Sequence, residues 1–145
     1  MANSAKKAGI DIEVIREPND GYWSNVWNND AKGWCACYWG GRPAETMMFS
    51  AAYVAESKWN DTMWKTTDSA VKFNQLVKDA RKELDESKKR DILYECQRLI
   101  YDDGGLLCPL FNSYVSANSK KIAHGKIAAN WDSDGAKCVE RWWFA

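Results

Sequence analysis

Hydrophobic and polar positions change their spacing several times along the chain, and each change predicts an element. Ala5 to Gly9 has the character of a last helical turn ended by glycine. Ile10, Ile12 and Val14 then alternate with Asp11, Glu13 and Ile15, which predicts a strand. Pro18-Asn19-Asp20-Gly21 makes a turn, and Tyr22, Trp23, Val26 and Trp27 give one face to a short helix. After a break at Lys32-Gly33, Trp34 to Trp39 is nearly continuously apolar, as in a strand covered on both faces of a parallel sheet. From Gly40 to about Thr67 no period persists, so a long loop is expected, with at most a short helix around Met47 to Ala55.

The second half is more regular. Asp68 or Ser69 can cap a helix whose apolar face is Val71, Phe73, Leu76, Val77, Ala80 and Leu84. Asp85 can cap a second helix with Ile92, Leu93, Cys96, Leu99 and Ile100, and the two should pack as an antiparallel pair. Gly104-Gly105 stops the second helix, and Leu106 to Phe111 is expected as a strand, with Pro109 marking an edge or a bulge. Tyr114 to Ala117 should continue extended. From Ile122 a strand-turn pattern leads to Cys138, Val139, Trp142, Trp143 and Phe144, an apolar cluster at helical spacing that needs cover.

Composition narrows the function. Twenty basic and twenty acidic side chains leave no net field to attract nucleic acid or an anionic membrane, so a small molecule or a protein is the expected partner. Nine tryptophans in 145 residues are the anomaly, because large amphipathic rings are favoured where one face meets a ligand or another surface. The first nine residues have no apolar core of a secretory signal, and the chain reads as beginning in mid-fold, as a piece of a larger α/β protein would. Of the five cysteines, four lie in apolar runs, where thiols behave as buried small hydrophobes.

Candidate chemistry is sparse. His124 is the only histidine, and nothing in the sequence brings a thiol to it as a nucleophile pair requires. Cys35 and Cys37 lack a second pair at zinc spacing. Asp102-Asp103 and Asp132, Asp134 sit beside glycines at element ends, which explains them without a hydrolytic pair. No catalytic residue, metal or cofactor is expected.

The segment Tyr38-Trp39-Gly40-Gly41-Arg42 is different. Two glycines let the main chain approach a ligand, aromatic rings flank them, and the Arg42 guanidinium offers a donor fork suited to a carboxylate, a phosphate or a polyol. The bland alternative for Arg42 is a surface pair with Glu45. Trp59 and Asn60, in the irregular Trp59-Asn60-Asp61-Thr62-Met63-Trp64 stretch, are further ligand candidates.

Several pieces in order resemble the family-5 solute-binding proteins, the extracytoplasmic receptors of dipeptide, oligopeptide, nickel and opine-type ABC importers. They are Gly9-Ile10-Asp11-Ile12-Glu13-Val14, Tyr22-Trp23, Trp39-Gly40-Gly41-Arg42-Pro43, Phe73-Asn74-Gln75-Leu76, the Asp85 to Arg98 helix and Gly105 to Tyr114. The resemblance implies an α/β fold, most of the C-terminal lobe of a two-lobe, class II periplasmic-binding-protein-like receptor, incomplete here. On that basis residues 1–145 form one domain whose tail, 113–145, packs toward the absent N-terminal lobe. The implied partners are a peptide-like, opine-like or sugar-acid solute and an ABC permease, in the periplasm, with a homodimer of the fragment as a further possibility. Where the family commonly carries an acid for the ligand amine, this chain has Arg42, which favours a solute with a negative group or many hydroxyls. The competing class is a free-standing, Trp-rich carbohydrate-binding or protein-interaction domain.

Overall fold

Two compact units divide the chain, Met1–Cys37 and Tyr38–Ala145, where the sequence suggested one domain. The computed structural model describes residues 1–29 and 33–145, so the break assigned to Lys32 lies outside the described residues.

The first unit carries helix α1, Ala2–Lys7, and a single turn α2, Tyr22–Asn25, introduced by Gly21 at φ 80°. Tyr22, Trp23 and Trp27 stack edge to face on one another, with centroids 5.5 and 5.6 Å apart, instead of entering a core. None of the described residues of this unit is buried. The Tyr22 hydroxyl donates to the Ala36 carbonyl at 2.6 Å and ties the α2 turn to the segment before Tyr38.

The core belongs to the second unit. Helix α3, Glu45–Met48, runs into a wider π turn, Phe49–Tyr53, matching the short helix expected near Met47 to Ala55. Helix α4, Asp68–Lys82, places Ala70, Phe73, Val77 and Ala80 inward at intervals of three and four. Its cap is Thr67, one residue before the expected Asp68, with Oγ1 accepting from the Ala70 N–H at 3.2 Å. Helix α5, Glu86–Asp103, is capped as anticipated by Asp85, which accepts from the Lys88 N–H at 2.9 Å. The short link at 83–85 folds α5 back onto α4. Phe73 is the hub, with the Phe49 ring 5.5 Å and the Trp64 ring 5.2 Å away. Val71 and Leu84, assigned to the apolar face from spacing, are exposed, because only the strip facing α5 and the π turn is covered.

Across the helix pair, Asp103 at the end of α5 accepts from the Trp64 indole at 2.8 Å and from the Thr67 hydroxyl at 2.7 Å. One carboxylate thus joins the cap of α4 to the last turn of α5. On the α5 surface Glu95 is pulled down to about 2 by its hydrogen bonds from Arg98 and Lys72.

The expected strands differ. Among the described residues the only sheet is antiparallel, β1 (Ile122–His124) against β2 (Trp142–Phe144), with Ile122 opposite Phe144 and His124 opposite Trp142. Residues 10–15, 34–39, 106–111 and 114–117 pair with no strand. An alternating or apolar run supplies a face, but a strand also needs a neighbour for its N–H and C=O groups, and none is in register here. Ile10, Val14, Trp34, Leu107, Phe111 and Val115 are exposed as a result, Phe111 by 95%. The terminal Trp142-Trp143-Phe144 cluster forms a strand instead of continuing the helical turn Cys138–Arg141. The thiols follow: Cys96 alone is buried, Cys37 and Cys108 are exposed, and Cys35 and Cys138 are half-buried. Burial pushes the Cys96 thiol up to about 11, with Glu95 adding to the rise.

Candidate functional site

Gly40 and Gly41 form a corner in the second unit, and the side chains around it arrive from three parts of the sequence. Trp39 precedes the glycines and is fixed by its indole N–H, which donates to Asp61 Oδ2 at 3.1 Å. Arg42 follows them and curls back, Nη1 donating to the Gly40 carbonyl at 2.7 Å and to the Gly41 carbonyl at 3.3 Å. Its guanidinium carbon lies 6.0 Å from the Trp39 ring centroid and 5.6 Å from that of Trp131, within cation–π range of both. Trp131 rests on Gly40 so closely that a Cβ there would stand 3.1 Å from the indole Cη2. Any side chain at position 40 would make the ring give way by a few tenths of an ångström. The Tyr114 hydroxyl borders Gly41, 3.7 Å from where a Cβ would be.

Of the residues singled out from sequence, Trp39, Gly40, Gly41 and Arg42 come together, and Tyr38 stands beside them, 76% exposed. Arg42 makes no ion pair among the described residues, so the pairing with Glu45 is not formed. Trp59 stands exposed on its loop. Asn60 is a correction: it is 1% exposed, and its amide faces the Tyr53, Val54 and Trp64 carbonyls at 3.2, 3.3 and 3.0 Å. An amide enclosed by three backbone acceptors holds a loop; it is not a ligand contact. The loop's contribution to the corner is Asp61, its neighbour.

Sequence reasoning also missed Trp131 and Tyr114 as parts of the corner. Trp131 had no periodic context, and the signal near it, Asp132-Ser133-Asp134-Gly135, reads only as a turn. The turn is unusual. Ser133, Asp134, Gly135 and Ala136 all have positive φ, at 48°, 61°, 71° and 62°, a left-handed coil over residues 133–136. Such backbone costs roughly 1–2 kcal/mol at each residue with a Cβ. The buried Asp134 carboxylate opposes that cost. Oδ1 accepts from the Ala128 N–H at 2.6 Å and pairs with Arg141 at 3.0 Å, and Oδ2 accepts from the Trp142 indole at 3.0 Å. Trp142 in turn stacks on His124, its cross-strand partner, at 5.1 Å. The hairpin, the left-handed coil and Trp131 are thus one assembly centred on Asp134.

Electrostatics follow the same bonds. The Ala128 N–H, the Trp142 indole and the Arg141 and His124 charges hold the Asp134 carboxyl below the usual carboxylate range. Thr67 and Trp64 do the same for Asp103. A carboxyl depressed in the folded state contributes stability above its unfolded value, about 3.9, and loses it as pH falls through the folded value. Stability should therefore be level from pH 7 to about 5 and decline below, most steeply under about 4. Asp134→Asn should flatten part of that decline, measured as unfolding free energy by urea titration at stepped pH. A slope identical to wild type below pH 4 would contradict the assignment.

The corner brings together aromatic rings, one guanidinium and a phenol, groups whose chemistry is stacking, charge and hydrogen bonding. Among the described residues no cluster of three or more His, Cys, Asp or Glu could hold a metal ion, and no helix is long and apolar enough to cross a membrane. Comparison with protein-family models, with curated proteins and with solved structures found no match to this chain.

Proposed function

We propose that the chain is most of the C-terminal lobe of an extracytoplasmic solute-binding receptor that delivers its ligand to an ABC permease. The observation that carries the proposal is the Trp39-Gly40-Gly41-Arg42 corner, where a guanidinium lies within cation–π range of two indoles and spends only its Nη1 on the glycine carbonyls. Support also comes from the order of sequence segments shared with family-5 receptors. Further support comes from apolar segments that pattern as strands yet are exposed, notably around Val14 and from Leu107 to Val115; surfaces of this kind are ordinarily covered by another part of a protein or by a partner. In a two-lobe receptor those strands would complete a sheet, which is the α/β architecture proposed for the whole.

The mechanism requires no covalent step. Solute contacts from both lobes stabilise the closed form, and the permease distinguishes closed from open. The corner of this lobe supplies half of those contacts.

Native mass spectrometry of the full-length receptor purified from its host tests the proposal. A retained small-molecule mass is expected in the wild type and should be lost in Arg42→Asp, which replaces the cation with a like charge for an anionic solute. A solute retained equally by both would return Arg42 to an ordinary surface residue. No retained solute, together with no two-lobe reading frame, would overturn the receptor assignment.

A further inference from the structure

The bonding of Arg42 narrows the chemistry of the solute. Nη1 carries two hydrogens and has two acceptors, the Gly40 and Gly41 carbonyls at 2.7 and 3.3 Å. Nε and Nη2 have no acceptor among the described residues. The Nε–H and one of the two Nη2–H groups point parallel along the other edge of the guanidinium, the fork that takes both oxygens of one carboxylate. Trp39 and Trp131 flank this fork, and Trp39 is itself anchored on the Asp61 carboxylate.

Charge decides between the three ligand classes that a guanidinium can accept. Of Tyr38, Trp39, Gly40, Gly41, Arg42, Tyr114 and Trp131, only Arg42 is charged. A planar monoanion matches one fork and one charge. A phosphate dianion would leave a negative charge uncompensated beside aromatic surface and near Asp61. Hydroxyls would accept only the weaker bond, about half the strength of a charge-assisted pair.

We infer that the Nε/Nη2 edge of Arg42 is a carboxylate-selective subsite whose second indole wall is Trp131, held in place by Asp134 as a positioning residue. Asp134 touches no ligand. It secures the left-handed coil from which Trp131 projects onto Gly40. The inference rests on the receptor reading for its biological occupant, while its chemistry rests on the corner alone.

The test is NMR on the ¹⁵N-labelled 145-residue chain, observing arginine Nε–H resonances during titration with benzoate, phenyl phosphate and benzyl alcohol. The Arg42 signal is assigned by its loss in Arg42→Lys. Benzoate should shift it saturably, phenyl phosphate should bind at least about fivefold more weakly, and benzyl alcohol should leave it unmoved. Trp131→Ala should weaken benzoate about fivefold, and Trp131→Phe, a milder change checked by circular dichroism for retained fold, about twofold. Asp134→Asn should weaken benzoate in the wild type but add nothing in the Trp131→Ala background, a non-additivity that a general loss of stability does not produce. The inference is overturned by phenyl phosphate binding as tightly as benzoate, by an unresponsive Arg42 signal, or by wild-type affinity in the Trp131 variants. Additive effects of Asp134→Asn overturn its positioning role. A non-carboxylate solute in the purified receptor would sink this inference and leave the receptor standing; a saturable benzoate response without any second lobe in the gene would do the reverse.

Discussion

Phe73→Ala is expected to lower the unfolding free energy of the second unit by about 4 kcal/mol, the largest effect of any single truncation in this chain. Phe73 is fully buried, and its ring meets Phe49 from the π turn and Trp64 from the loop before α4. Removing it opens a cavity whose walls belong to three separately anchored elements, so collapse of the surroundings cannot fill it. Urea unfolding followed by tryptophan fluorescence measures the loss, with Phe73→Leu as the control that keeps most of the volume and costs about 1.5 kcal/mol. Equal effects of the two variants would show that the site relaxes and that Phe73 is not the hub.

Asn60→Ala should cost about 3 kcal/mol, more than a surface loop residue ordinarily does, because it strips the donor from carbonyls enclosed in the protein. The Asn60 amide satisfies Tyr53 at the end of the π turn, Val54 after it and Trp64 before α4, while its oxygen accepts from Thr62. No buried side-chain polar atom is without a partner in the described structure, so the variant would introduce a defect the protein otherwise lacks. Asn60→Asp, nearly identical in shape but without a donor, should be at least as damaging. Hydrogen exchange across residues 54–66 reads the consequence directly: protection should fall there first and leave α5 unchanged. Because Asp61 anchors the Trp39 indole, the same variant should loosen the Trp39 to Arg42 corner, although Asn60 makes no hydrogen bond to it. Undisturbed protection of the loop would contradict this account.

Helices α4 and α5 were legible in the amino-acid pattern because everything that makes them is local. Apolar spacing, an oxygen-bearing cap and a glycine stop act within a few residues, and even the displaced cap at Thr67 lies one position from the expected one. The Trp39 to Arg42 part of the corner was legible for the same reason, as contiguous residues with a special backbone. Asn60 was misjudged because a polar side chain in an irregular stretch looks alike from sequence whether it faces solvent or fastens the loop from within. Trp131 and Tyr114 could not be assigned, since their roles depend on segments about 70 to 90 residues away meeting Gly40 and Gly41, and Asp134 could not because its partners lie in an irregular turn; periodicity carries neither kind of information.

By itself the sequence determined the helix pair, its apolar strip and the glycine-arginine corner, because short-range sterics, capping and burial of a regular face leave few alternatives there. Tertiary structure alone decided which strands found partners, which tryptophans came beside Arg42, and that its Nε and Nη2 have no acceptor among the described residues. Those outcomes turn on pairing and close approach between distant segments, where each backbone group and each ring is settled by the neighbour that actually arrives.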